Sequence, residues 1–102
     1  MRWRRLLERL EVSDPALATL ALERLKQGER EYRDHSLQRP PTSLVAEALE
    51  EAADLVGWLA LLDRAHPLDG GALALAQTAA RRAQQAHTAL DALKQRLEEG
   101  ER

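Results

Sequence analysis

The sequence predicts an all-α protein, an antiparallel helical bundle of about four helices. Three observations carry that prediction. Apolar residues recur at steps of three and four through most of the 102 residues, and no stretch alternates as a strand would. The chain has no Phe and only three aromatic residues, so its core is built from Leu, Ala and Val, which suit helices packed closely along their length. Clusters of Pro, Gly, Ser and Asp interrupt the periodic stretches at a few places, where helices end and turns begin.

The first element is a short amphipathic helix over Arg2 to Val12, with Trp3, Leu6, Leu7 and Leu10 on one side. It reads as an N-terminal arm over the rest of the fold or over a neighbouring subunit. Arg2, Arg4 and Arg5 are basic, but Glu8 and Glu11 dilute them. Ser13-Asp14-Pro15 is a helix start, a capping side chain followed by Pro where its missing N–H costs nothing. The second helix runs from about Pro15 to Arg33, with Leu17, Leu20, Ala21, Leu25, Gly28 and Tyr32 inside. Gly28 costs about 1 kcal/mol relative to Ala unless another backbone crosses there. Lys26, Arg30 and Arg33 crowd the last turns, the end of the helix dipole that favours cations.

Asp34 to Pro41 is irregular, and Thr42 or Ser43 caps a third helix lasting to Ala65 or His66. On it, Val45, Ala48, Leu49, Ala52, Leu55, Val56, Leu59 and Leu62 form one broad apolar side. His66-Pro67-Leu68-Asp69-Gly70-Gly71 is a turn. The last helix spans about Ala72 to Glu98. Its seam is Ala76, Ala79, Ala83, Ala86, Leu90, Leu93 and Leu97, three heptads long, packing within the bundle or across a dimer. Glu98 to Arg102 is expected to fray.

Length bounds this to a single helical domain over 1–102, and helices this long in a chain this short predict a core completed by pairing, as a homodimer or higher oligomer. The formal net charge of -2 argues against nucleic acid and anionic membranes as partners. The absence of Cys removes disulfides, thiolate metal sites and Cys nucleophiles. No apolar run approaches the roughly 20 residues of a membrane span, and none follows the basic start as in a signal peptide. A cytoplasmic protein is expected. His35, His66 and His87 are scattered without ligand spacing, and no serine has a nucleophile context.

The strongest chemical signal lies on the third helix. Glu47, Glu50, Glu51 and Asp54 share one stripe, and no Lys or Arg falls between Ser43 and Asp63. Like charges at these spacings repel, so the stripe calls for a cation from elsewhere. That cation is either a metal ion or an Arg from another helix, Arg81 and Arg82 being candidates. Mg²⁺ suits carboxylate oxygens and shares its shell with phosphates. Trp58, one turn beyond Asp54, makes that side apolar where the acids end.

The run from Gly28 to Ser36, then Pro40, then Glu47 to Trp58 resembles short members of the MazG-like all-α nucleoside triphosphate pyrophosphohydrolase group. That resemblance covers roughly Leu25 to Leu62. It implies a helical, oligomeric protein that uses Mg²⁺ (or Mn²⁺) to split a nucleotide between its α and β phosphates. Glu47, Glu50, Glu51 and Asp54 would hold the metal, with Glu50 or Glu51 also orienting or deprotonating the attacking water. Lys26, Arg30 and Arg33 would neutralise phosphate charge. The group carries its two acidic elements on two successive helices, whereas here both fall on one, which implies a site shared between subunits or a reduced one. The competing expectation is a non-catalytic helical assembly or interaction module.

Overall fold

The computed structural model describes residues 3–32 and 35–100, with the side chains of Tyr32 and Ser36 set aside. Expectations resting on Arg2, Arg33, Asp34, Glu101 and Arg102 lie outside the described residues. The described chain is all helical: α1 (Trp3–Arg9), α2 (Pro15–Tyr32), a 3₁₀ turn (His35–Gln38), α3 (Pro41–Ala65) and α4 (Gly70–Gly100). It divides into two compact units, Met1–Arg39 and Pro40–Arg102.

In the first unit α1 packs on α2. The helix α1 ends at Arg9, three residues short of the expected Val12, because Glu11 takes a left-handed conformation with φ 61°. The Val12 N–H donates to the Leu7 carbonyl at 3.2 Å and the Glu11 N–H to the Glu8 carbonyl at 2.9 Å. That pair of bonds is a Schellman closure, a geometry usually given to Gly. Leu7 and Val12, half-buried, line one side of a groove shared with Ala18 and Leu22. The expected start of α2 is found. Pro15 opens the helix, and Asp14 Oδ1 accepts from the Ala16 N–H at 2.9 Å and the Leu17 N–H at 3.3 Å. The Trp3 indole N–H donates to Glu29 Oε2 at 2.8 Å, tying the two helices across 26 residues of sequence. Gly28 does not mark a break, since α2 runs through it. Beyond its own helix turn, nothing among the described residues lies within 4 Å of where a Cβ would stand, so no described backbone crosses there.

The second unit is a hairpin of α3 and α4, packed side by side. The expected cap by Thr42 or Ser43 is replaced. Pro40, in an extended conformation, takes the cap position and Pro41 begins the helix. A Pro here already holds helical φ and lacks an N–H that would go unpaired, so no side-chain oxygen is required. At the other end His66 closes α3, its N–H donating to the Leu62 carbonyl at 2.8 Å. The Leu68 N–H donates to Asp63 Oδ1 at 2.9 Å, which pins the corner to the last turn of α3. The helix α4 starts two residues earlier than expected, taking in Gly70 and Gly71. Asp69 lends its carbonyl to the Leu73 N–H at 3.1 Å, and Gly70 turns the chain with φ 50°. Glu98 to Gly100, expected to fray, remain helical.

Among the described residues the most covered side chains are Val45 and Ala83, 8% and 4% exposed. The covered seam of α3 is Val45, Leu49, Ala52, Val56 and Leu59, and Val56 at its far side is partly open. The seam of α4 is Leu73, Ala76, Ala80, Ala83, Leu90, Lys94 and Leu97. The expected seam thus holds at Ala76, Ala79, Ala83, Leu90 and Leu97, with Ala80 half-buried beside Ala79, and fails at Ala86 and Leu93. Ala86 and Leu93 are exposed, while Ala80 and Lys94 are half-buried. A helix turns about 100° per residue, so neighbouring rows are easily exchanged when both are Ala and Leu.

Candidate functional site

Three rows run along α3, each stepping by four and three. The first is the seam against α4. One residue back from it lie Leu44, Ala48, Glu51, Leu55, Trp58 and Leu62. One residue back again lie Ser43, Glu47, Glu50, Asp54, Gly57 and Leu61. The apolar side expected as one surface is therefore split. Its first row packs on α4, whereas in the second Leu44, Leu55 and Leu62 are more than two-fifths exposed and Trp58 is 68% exposed.

The four acids occupy the second and third rows, and all are exposed. Glu50, Glu51 and Asp54 pair with no described Lys or Arg. From Glu47 to Asp54 the helix rises about 10 Å, so one ion can meet only neighbouring pairs. Their oxygens are the donors Mg²⁺ prefers, two at a time. Among the described residues no group of three or more His, Asp or Glu is gathered to hold a metal ion. The donor chemistry fits the ion; enclosure by a third element is not found among the described residues.

The expected phosphate contacts belong to the first compact unit. Lys26 and Arg30 are exposed on α2, in the other compact unit, and Arg33 lies outside the described residues. Arg82, offered as a partner for the acids, turns along its own helix, where its Nη1 donates to Gln85 Oε1 at 3.1 Å. Arg81 borders an open groove with Gln84, Gln85 and Thr88. His35 sits in the 3₁₀ turn, His66 closes α3, and His87 Nδ1 lies 3.9 Å from Asp91 Oδ2 one turn on. Neither His66 nor His87 is gathered with the acids of the stripe.

A row on α4 completes this surface, and three of its members, Ala79, Ala86 and Leu93, are ones the sequence assigns to the seam. One residue back from the seam of α4 lie Leu75, Ala79, Arg82, Ala86, Ala89, Leu93 and Arg96. Leu75 is 74% exposed and Leu93 45%. Because α3 and α4 run in opposite directions, a step back along each turns towards the same side of the hairpin. The two rows, exposed except at the half-buried Ala48 and Ala79, thus make one apolar face, with Glu51 within its α3 half and Arg82 within its α4 half. The signal was present in the sequence as paired heptad rows offset by one residue on both helices.

No helix among the described residues is long and apolar enough to cross a membrane. No family model, curated protein or solved structure matches this chain.

Proposed function

We propose that this chain is a helical assembly module, whose α3–α4 hairpin is one layer of a bundle completed by a second helical layer. The carrying observation is the open face of Leu44, Leu55, Trp58 and Leu62 with Leu75 and Leu93. Each large apolar side chain moved from water into a core contributes roughly 1.5–3 kcal/mol, so six on one face are a strong drive to be covered. Trp58 reports the outcome. In a Trp3→Phe background its emission should shift to shorter wavelength, and resist acrylamide quenching, as concentration rises through the micromolar range. A Trp58 that stays fully quenchable at every concentration contradicts the proposal.

A second reading is Mg²⁺-dependent nucleoside triphosphate pyrophosphohydrolysis at a site shared between subunits, in the manner of the MazG-like group. It is favoured by Glu51 lying on the same face, where a covering layer would enclose it, with Glu47, Glu50 and Asp54 on the adjoining row. In that reading Glu47, Glu50, Glu51 and Asp54 bind the ion, and Glu50 or Glu51 positions the water. Calorimetric titration with Mg²⁺ or Mn²⁺ should show binding that weakens in Glu51→Gln. Pyrophosphate should appear from a panel of nucleoside triphosphates. Absence of both heat and pyrophosphate ends this reading and leaves the first intact.

A further inference from the structure

We infer that the second layer is another copy of the same hairpin, related by a two-fold axis parallel to the helices and keyed by a layer of Glu51 and Arg82 from both chains. This rests on the assembly reading above and adds the occupant and its arrangement.

The argument is one of charge placement. Glu51 lies 14 residues before the end of α3 at Ala65, and Arg82 lies 12 residues after the start of α4 at Gly70. At about 1.5 Å per residue the two are level to within about 3 Å. Each hairpin face therefore shows one acid on its α3 side and one base on its α4 side, at the same height, among Leu, Ala and Trp. The row outside repeats the division. On α3 it carries Glu47, Glu50 and Asp54. On α4 it carries Gly71, Ala74, Thr78, Arg81, Gln85 and Thr88, with no acid. Asp54 and Arg81 are both 11 residues from the corner ends of their helices, at one level.

Two copies can meet face to face in two symmetric ways. With the axis across the helices, α3 lies over α3, acid rows meet acid rows, and Glu51 and Arg82 are pressed against apolar side chains or their own kind. With the axis along the helices, α3 lies over the other copy's α4 at equal height. Glu51 then faces Arg82 of the second copy, and both corners lie at one end. Charges alternate around the bundle instead of repelling. An unpaired buried charge costs several kcal/mol, so the second arrangement is selected. A single polar layer in an apolar bundle fixes register and partner number. Arg96 lies past the level of Pro41 and takes no part.

The test uses the full chain in light scattering and sedimentation, with Trp58 emission as a parallel readout. The unaltered chain should have twice the monomer mass. Arg82→Glu and Glu51→Arg should each weaken the dimer by at least about 100-fold, and the double exchange in one chain should restore it. Helicity by circular dichroism should hold in all three, since each site is exposed in the single hairpin. A trimer or larger species with Trp58 covered overturns the two-fold pairing while leaving the assembly reading standing. A dimer indifferent to both exchanges, or tightened by Glu51→Arg alone, overturns the Glu51–Arg82 layer and favours α3 over α3. A monomer with Trp58 open overturns both.

Discussion

The two compact units are held together by different means. In Met1–Arg39 no side chain is fully buried among the described residues, and the fastenings are local and polar. Asp14 caps α2, the Schellman bonds close α1, and the Trp3 indole reaches Glu29. In Pro40–Arg102 the ends are closed by prolines and a short corner, and Val45 and Ala83 sit in a seam that runs the length of the hairpin. The comparison teaches where each unit is vulnerable. The first depends on single hydrogen bonds near helix ends. The second depends on the shape and polarity of a continuous seam, with enough apolar surface left over to bind something else.

The contrast breaks most sharply at Val45. Val45→Asp would place an unpartnered carboxylate in the seam and should destabilise the hairpin by about 3 kcal/mol. In thermal melts followed by amide exchange, protection should vanish in α3 and α4 and persist in α1 and α2. Loss in both units together would mean that they fold as one. Asp14→Ala comes next, removing the acceptor for two amides of α2 at a cost of about 1 kcal/mol. Its effect on exchange should be confined to the first unit. Gly28→Ala and Gly57→Ala run in the opposite direction. Neither added methyl meets an atom within 4 Å, so each should stabilise its own helix by about 1 kcal/mol in denaturant titration. A destabilised Gly57→Ala would show a neighbour close to the acid row. Smallest is Glu50→Gln, which relieves repulsion along α3 and should gain about 0.3 kcal/mol, less at high salt. A clear loss instead would point to a bound cation.

Much of the fold was legible in the sequence. Pro15 after Asp14, the stop at Ala65 and the His66–Asp69 corner announce themselves through residues whose backbone preferences are narrow. What escaped was set by things a single chain of letters does not display. Glu11 adopts a left-handed conformation that Gly would have advertised, so α1 was expected to run on. Pro40 and Pro41 supply a helix start without a capping hydroxyl, whereas the nearby Thr42 and Ser43 are the residues whose side chains ordinarily cap. On α4, Ala79 and Ala80 share the cover, while further along Lys94 is half-buried and Leu93 is open, against their hydropathy, because the hairpin's contact decides which row faces inward. The acid stripe was legible as a stripe. Its relation to Arg81 and Arg82 needed the level of each residue along the hairpin, which depends on where the corner begins and ends.

That corner carries one further consequence. Asp69-Gly70 is the single Asp–Gly bond in the chain, and both residues are exposed. Glycine offers no side chain to shield its nitrogen from the neighbouring carboxyl, so such bonds are where polypeptides slowly cyclise and reopen as isoaspartate. The rearranged linkage would add a carbon to the backbone at the point that sets how α3 and α4 align. Chemical ageing of a stored sample would then show first as a loosened seam between α3 and α4, before any loss of helix.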